Sequence, residues 1–351
     1  MNETARVRVA VNGYGVIGKR VADAVAAQPD MILAGVADVA PDWRLRVAAG
    51  RGFALYGATA QHAGAFEAAG LSVAGELTSL IAAADVVVDC TPKRVGAANA
   101  ELYRRAEKPF IVQGGERHEL TGHSFVAEAS YAGAVGREST RVVSCNTTSI
   151  VRTLSALKRA GLLRRARGTL LRRATDPWES DRGGIMNTLV PEPEIPSHQG
   201  PDARSVDPDL DVVTMAVKVP ETIAHLHYWS VQMTRPADKA EVLAAFAASS
   251  RIAAVRTEDG LGALNAVKEM VNDLGRSRGD LYEVALWTDM LRVDGDELFY
   301  AYMVDNQAIV IPETVDAIRA LSGRVPDAAE SIAATNASLG IGDLARFAPQ
   351  S

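Results

Sequence analysis

The chain has 351 residues, of which 48% are hydrophobic and 23% charged, and carries a net charge of −6 with a pI near 5.6. That length predicts two domains of a soluble globular protein. An acidic chain with no basic tail or stripe argues against a nucleic-acid binder, and its apolar runs fall well short of the ~20 residues that span a bilayer. The only cysteines, Cys90 and Cys145, argue for a reducing compartment and against a disulfide framework. The opening "MNETARVRVAVNGYG" lacks the charged and apolar regions of a signal peptide, so the expected location is cytoplasmic.

The first third alternates strand and helix. "VRVAVNG" reads as a short buried strand, "GKRVADAVAAQ" as a helix, "MILAGVAD" as a second strand, and "DVVVDCTP" and "KPFIVQGG" as later ones. Strands separated by helical patterns predict βαβ units and a parallel sheet, with a ligand at the carboxyl ends of the strands. The pattern changes at Cys145. "TTSIVRTLSALKRAGLL" is helical, with Ile150, Leu154, Leu157 and Leu162 roughly on one face. "RGTLLRRAT", "VVTMAVKVP", "AHLHYWSVQM" and "LYEVALW" then read as strands, several alternating as an antiparallel sheet requires. A polar, Pro/Gly-rich segment from Asp176 to Asp211 reads as a long functional loop, and "SIAATNASLG" as a helix. The expected fold is α/β. A Rossmann-type parallel-sheet domain covers residues 1–144, with the C-terminal 307–351 packing back on it. An α+β catalytic domain with a mainly antiparallel or mixed sheet covers 145–306.

"VNGYGVIGKRVADAV" places Gly13-x-Gly15-x-x-Gly18 between a strand and a helix. Gly13 permits the tight turn, Gly15 lets a pyrophosphate approach the backbone, and Gly18 lets helix and strand pack closely. The pyrophosphate then meets unpaired N–H groups at the helix N-terminus. Asp38 ends the second strand, where a carboxylate accepts from ribose hydroxyls and repels a 2′-phosphate, favouring NAD over NADP. Arg44 and Arg46 nearby leave NADP open, and a solvated loop aspartate is the plainer reading of Asp38.

In "RVVSCNTTS" a strand hands over to a helix at Cys145. A thiolate there gains from the helix dipole, which lowers its pKa, and beside a nicotinamide it suits covalent aldehyde oxidation through a thioester. The competing reading is an inert buried cysteine. Cys90, in an apolar strand, reads as structural. "HLHYW" puts His225 and His227 on one strand face, so either serves as the base and steadies an oxyanion; packing alone is the alternative. No carboxylate or cysteine completes a ligand set beside them, so no metal is expected. Arg172 and Arg173 are adjacent in a strand and face opposite ways, one toward a phosphate. His198 and Gln199 in "PSHQGPD" offer donors to a phosphate or hydroxyl, or are solvated loop residues.

Together "VNGYGVIGKRVADAV", "VVVDCTPKRVG", "QGGE", "RVVSCNTT", "RRATDP", "PSHQGPD", "VPETIAHLH" and "IVIPE" resemble, nearly end to end, the archaeal-type phosphorylating glyceraldehyde-3-phosphate dehydrogenases. The resemblance implies a homotetramer that uses NAD, or NADP, with a phosphorylated aldehyde and inorganic phosphate to make 1,3-bisphosphoglycerate. It implies Cys145 as the nucleophile and a base in the "HLH" strand, where spacing favours His225 and holds His227 in reserve. Ser144 and Asn146 would contact the aldehyde. Val16, Ile17, Gly115 and Arg173 would approach the cofactor, with Asn306 near the nicotinamide. His198 and Gln199 would sit at the substrate phosphate. Val16, Asp38, Gln199 and Asn306 depart from the family's usual Thr, Lys, His and Gln. The Gln199 change leaves open a related phosphorylating dehydrogenase for another aldehyde or acyl phosphate, such as a semialdehyde. A dinucleotide-binding regulator without catalysis is the rival from another class.

Overall fold

Short β-branched runs bounded by glycine and polar residues form the sheet of the first unit. In the computed structural model, residues 6–342 and 344 are described. Positions 1–5, 343 and 345–351 of the two expected domains lie outside the described residues. The first compact unit comprises the described residues through Val143 with Ile311–Leu339, and the second comprises Ser144–Val310 with the chain from Gly340. Residues 307–310 therefore belong with the second unit, and the returning segment begins at Ile311.

In the first unit the strands are β1 (Val7–Asn12), β2 (Met31–Asp38), β3 (Leu55–Gly57), β4 (Gly75–Glu76), β5 (Val86–Asp89), β6 (Phe110–Val112), β7 (Ser124–Phe125) and β8 (Ser139–Val142). They pair in parallel in the order β4-β3-β2-β1-β5-β6-β8-β7. The crossover helices are α1 (Val16–Ala26), α2 (Trp43–Gly50), α3 (Ala60–Ala68), α4 (Leu77–Ala82), α5 (Val95–Arg105) and α6 (Ala127–Ala134). Every residue of β5 and β6 is buried, as a strand covered on both faces demands. Strand order reverses between β1 and β5, which opens a crevice at their carboxyl ends.

The second unit begins with α7 (Cys145–Arg159), buried continuously from Asn146 to Leu157. Then come β9 (Leu163–Arg173), β10 (Val190–Pro191), α8 (Gln199–Arg204), β11 (Val212–Val219), β12 (His225–Met233), α9 (Lys239–Ala247), β13 (Ile252–Val255), α10 (Leu264–Asp273), β14 (Val284–Trp287), β15 (Arg292–Asp294) and β16 (Glu297–Val304). The sheet runs β10-β11-β9-β12-β16-β14-β13, with β15 on β16. It is mixed: β11 with β9 and β13 with β14 are parallel, the other pairs antiparallel. The segment from Asp176 to Asp211 is not one irregular loop, since it contains the edge strand β10 and the short helix α8. Fully buried Arg152 ties α7 down, donating to Tyr282 O at 2.7 Å and Ile309 O at 3.2 Å. Among the described residues no helix is long and apolar enough to cross a membrane.

The chain's end returns as α11 (Val310–Ser322) and α12 (Ala328–Leu339). In the first unit, buried Arg319 donates from Nε and Nη2 to the two Asp30 oxygens and from Nη2 to Gln28 Oε1, each at 2.8 Å. Its Nη1 reaches Ser331 O and Thr335 Oγ1, while Ser331 and Thr335 donate to buried Asp316. Removing one member of such a buried network strands the others, a loss of about 3–5 kcal/mol. Arg319→Met is therefore expected to destabilise the first unit by about that amount in a urea titration. An unchanged midpoint would contradict this role.

Candidate active site

In the first unit β1 ends where the chain must turn sharply into α1. Gly13 has φ +91°, and a Cβ there would lie 2.9 Å from the Cys90 carbonyl group. A Cβ on Gly18 would collide with Gly13 O, so turn and helix fit only without one. Gly15 caps α1 without a side-chain hydrogen bond, and the first helical residues, Val16 and Ile17, are half-buried. The first-turn N–H groups are thus offered to an anion. Space is open at Gly15, where a Cβ would meet only Arg44 Nη1, at 3.9 Å. These features fit a dinucleotide pyrophosphate. Asn12 Nδ2 donates to the Tyr103 hydroxyl at 2.7 Å, and that hydroxyl donates to Asp89 Oδ2 at 2.6 Å, fixing the floor below.

Asp38 is not a free loop carboxylate. Its Oδ2 accepts from Tyr14 N–H at 2.7 Å, and its Oδ1 accepts from Val39 and Ala40 N–H. It braces the glycine turn while placing negative charge at the end of β2. Arg44 is engaged bidentately by Asp42, and Arg46 donates to Ala69 O. Gly115 follows β6, exposed beside Lys93. Cys90 lies one residue past β5, behind Gly13, and burial, with Asp89 adding to it, pushes its thiol well up.

In the second unit Cys145 is the first residue of α7, because Ser144 before it is an extended N-cap whose Oγ accepts from Thr147 N–H at 3.4 Å. Cys145 as a residue is half-buried. Burial raises its pKa, against the lowering influence of Arg173, the Asn146 peptide N–H and Arg172; Asp305 adds to the rise. The expected helix-lowered thiol is therefore corrected: desolvation outweighs the helix start, and the resting group is a thiol.

The two histidines differ in their partners. His227 is buried, with Nε2 2.9 Å from Asn146 Oδ1 and Nδ1 2.9 Å from the Tyr302 hydroxyl. Burial, then Arg172, lowers its pKa to about 3. His225 Nδ1 accepts the Arg173 peptide N–H at 3.0 Å, and burial, then His227, Arg173 and Arg172, hold the ring neutral. Alternation along β12 puts both rings on the face that meets Asn146.

Both arginines meet carboxylates. Arg172 Nη1 meets Glu192 Oε1, and Arg173 Nη2 meets Asp176 Oδ1. Arg172 Nε nevertheless is buried without a hydrogen-bond partner. Glu192 also lies 3.8 Å from Nδ1 of the largely exposed His198. Beside it the side chain of Gln199 is fully buried, and neither its nitrogen nor its oxygen has a partner. Asp202 Oδ2 accepts from Thr147 Oγ1 at 2.7 Å, so the "PSHQGPD" segment is pinned to the turn that carries Cys145. Asn306 follows buried Asp305, and its Oδ1 also lacks a partner. Gln307 Nε2 donates to Asp176, connecting that turn to Arg173. Sequence reasoning missed Glu192, Asp202, Asp176 and Tyr302, whose roles arise from partners remote in the chain.

An arrangement of this kind offers a sulfur nucleophile, neutral donors and cationic groups around one helix start. A family profile described as glyceraldehyde 3-phosphate dehydrogenase, C-terminal domain, matches residues 144–274, and one described as dihydrodipicolinate reductase, N-terminus, matches 7–117. A glyceraldehyde-3-phosphate dehydrogenase of Halobacterium salinarum is 46% identical over 95% of this chain and 100% of its own length. Those of Methanobrevibacter smithii and Metallosphaera sedula are 44% and 45% identical over 95% and 96% of this chain, and 99% and 98% of their own. With 44–46% identity over at least 95% of its length, the chain belongs to the glyceraldehyde-3-phosphate dehydrogenase family.

Proposed function

We propose that this protein oxidises glyceraldehyde 3-phosphate with inorganic phosphate to 1,3-bisphosphoglycerate through a thioester on Cys145. The observation that carries the reading is the half-buried Cys145 at a helix start, beside Arg173 and beside Arg172, whose Nε is buried without a partner. The turn of Gly13, Gly15 and Gly18, with Val16, Ile17 and Gly115, holds the nicotinamide dinucleotide, whose chemistry is to accept a hydride. The sulfur of Cys145 adds to the aldehyde carbon, and the oxidised adduct is a thioester. Phosphate then attacks the thioester carbon, the C–S bond breaks with its electron pair returning to sulfur, and the acyl phosphate leaves.

The remaining residues orient and neutralise. Ser144 and Asn146 meet the aldehyde, Asn146 being held by His227. His225, on the same face, serves the reacting oxygen. Arg172 offers its open Nε to a phosphate, together with the Gln199 amide and His198. An amide donates as a histidine does, so Gln199 is compatible with the phosphosugar. The family resemblance assigns Arg173 and Asn306 to the cofactor. We also propose the homotetramer that the family resemblance implies.

The test is direct. Cys145→Ser is expected to lose activity by at least about 10³-fold while still binding NADH, and radiolabelled substrate should acylate only the wild type. A serine variant with full turnover would overturn the reading. For the cofactor, Asp38 favours NAD because its charge opposes a 2′-phosphate. Asp38→Lys is expected to raise the NADP-to-NAD ratio of kcat/KM by about tenfold or more, an effect of about 1.4 kcal/mol. Direct titration with both reduced cofactors checks it, and an unchanged ratio would leave Asp38 only its role as a brace for the glycine turn.

A further inference from the structure

The carboxylate of Asp305 has more partners than its turn requires. It follows β16, and its side chain is only 3% exposed. Oδ1 accepts the peptide N–H groups of Gln307 and Ala308, at 3.0 and 3.2 Å, and so closes the turn that carries Asn306. Oδ2 accepts Leu281 N–H at 3.2 Å and the ammonium group of Lys268 at 2.6 Å. Lys268 stands on α10 and also donates to Gly279 O, so its position is fixed by two partners. Three peptide donors suffice to order the turn. They do not cancel a full charge, and a buried ion pair adds little stability once its desolvation is counted. The presence of Lys268 needs a second reason.

That reason lies at the other end of the turn. Gln307 Nε2 donates to Asp176 Oδ1 at 2.5 Å, and the same oxygen meets Arg173 Nη2. Arg173 Nη1 donates to Thr222 O at 3.3 Å, so Asp176 and Thr222 together aim its guanidinium. Lys268, Asp305, Gln307, Asp176 and Arg173 thus form one continuous chain of polar contacts, running from α10 to a cation that acts on Cys145. We propose that Lys268 and Asp305 are positioning residues for the thiol chemistry: Asp305 sets the turn that aims Arg173, and Lys268 cancels the negative charge that this carboxylate would otherwise present to Cys145. This rests on the dehydrogenase reading above and deepens it. Asp305 opposes the Cys145 thiolate, whereas Arg173 and Arg172 favour it. Lys268 is the countercharge that lets one carboxylate order the turn without working against the sulfur it serves.

The test reads the ionisation of Cys145 in the full-length protein and needs no turnover. Alkylation by iodoacetamide is followed against pH, with the Cys145 and Cys90 peptides separated by mass spectrometry. The charges acting on the sulfur are Asp305 and, from β9, Arg173 and Arg172, which are paired with Asp176 and Glu192. Asp202 of α8 meets Thr147, and burial holds His225 and His227 of β12 neutral. All but Asp305 are common to every variant, so differences in midpoint report the ion pair. Lys268→Met bares the Asp305 charge and is expected to raise the midpoint by about half a pH unit or more, about a threefold loss of thiolate. Lys268→Gln, which keeps a donor without the charge, carries the same expectation should the methionine variant not fold. Lys268→Arg should restore the wild-type midpoint. Asp305→Asn is expected to lower it, and Lys268→Met combined with Asp305→Asn to return it toward wild type. A purely structural pair would instead lower the urea midpoint in both single variants and leave the thiol midpoint where it was. Equal thiol midpoints throughout, or shifts of one sign in both single variants, would overturn the proposal. An inactive wild type would count against the dehydrogenase reading and leave the alkylation result standing.

Discussion

The position of the reactive sulfur depends on a cluster of polar contacts around the first turn of α7. His227 donates from Nε2 to Asn146 Oδ1 and accepts at Nδ1 from the Tyr302 hydroxyl, and Ser149 Oγ, 3.3 Å from that hydroxyl, donates to Asn146 O. A buried imidazole is tolerable there because it is neutral and both nitrogens are engaged, so little solvation is lost without replacement. On the other side Thr147 holds Asp202 and lies 2.9 Å from Ser144 Oγ. Helix α7 is thus clamped from the sheet through β12 and β16, and from the anion segment through α8. Since a misplacement of about 1 Å costs on the order of 10²-fold in rate, the clamp matters as much as the nucleophile.

What was legible in the sequence is what backbone geometry encodes locally. The β1-turn-α1 unit shows in its glycine spacing, because those positions exclude a Cβ whatever the rest of the chain does. The start of α7 shows in Ser144 and the following Asn and Thr, because capping is a contact between near neighbours. Strands β9, β11 and β12 show in their alternation. Strand β16 and helix α11 were missed, although β16 is buried from Tyr300 through Val304 and central to its sheet. Their apolar runs suit a strand or a helix equally, and only the neighbours decide. Glu192, Asp176 and Asp202 were invisible for a related reason. A carboxylate in a polar loop looks solvated until a distant arginine or threonine meets it.

The same gap between local and nonlocal information explains the thiol. A helix start predicts a lowered pKa, yet desolvation by the surrounding chain prevails. Asp38 is a parallel case. Proximity to the end of β2 was legible, but its three peptide donors were not. Bracing and selectivity are compatible in one carboxylate, which has about four acceptor sites and uses three.

A raised thiol also bears on the balance between the two halves of the reaction. A more basic thiolate attacks an aldehyde better but leaves a thioester less readily. The charges around Cys145 act against that second penalty, since Arg173 and Arg172 both favour the thiolate. Before substrate arrives, Asp176 and Glu192 offset those cations, so the site carries little net charge. A phosphate bound beside Arg172, as proposed above, would meet the buried, unpartnered Nε without displacing Glu192 from Nη1. The guanidinium fork would therefore let one side chain keep its structural carboxylate on one edge and receive an anion on another.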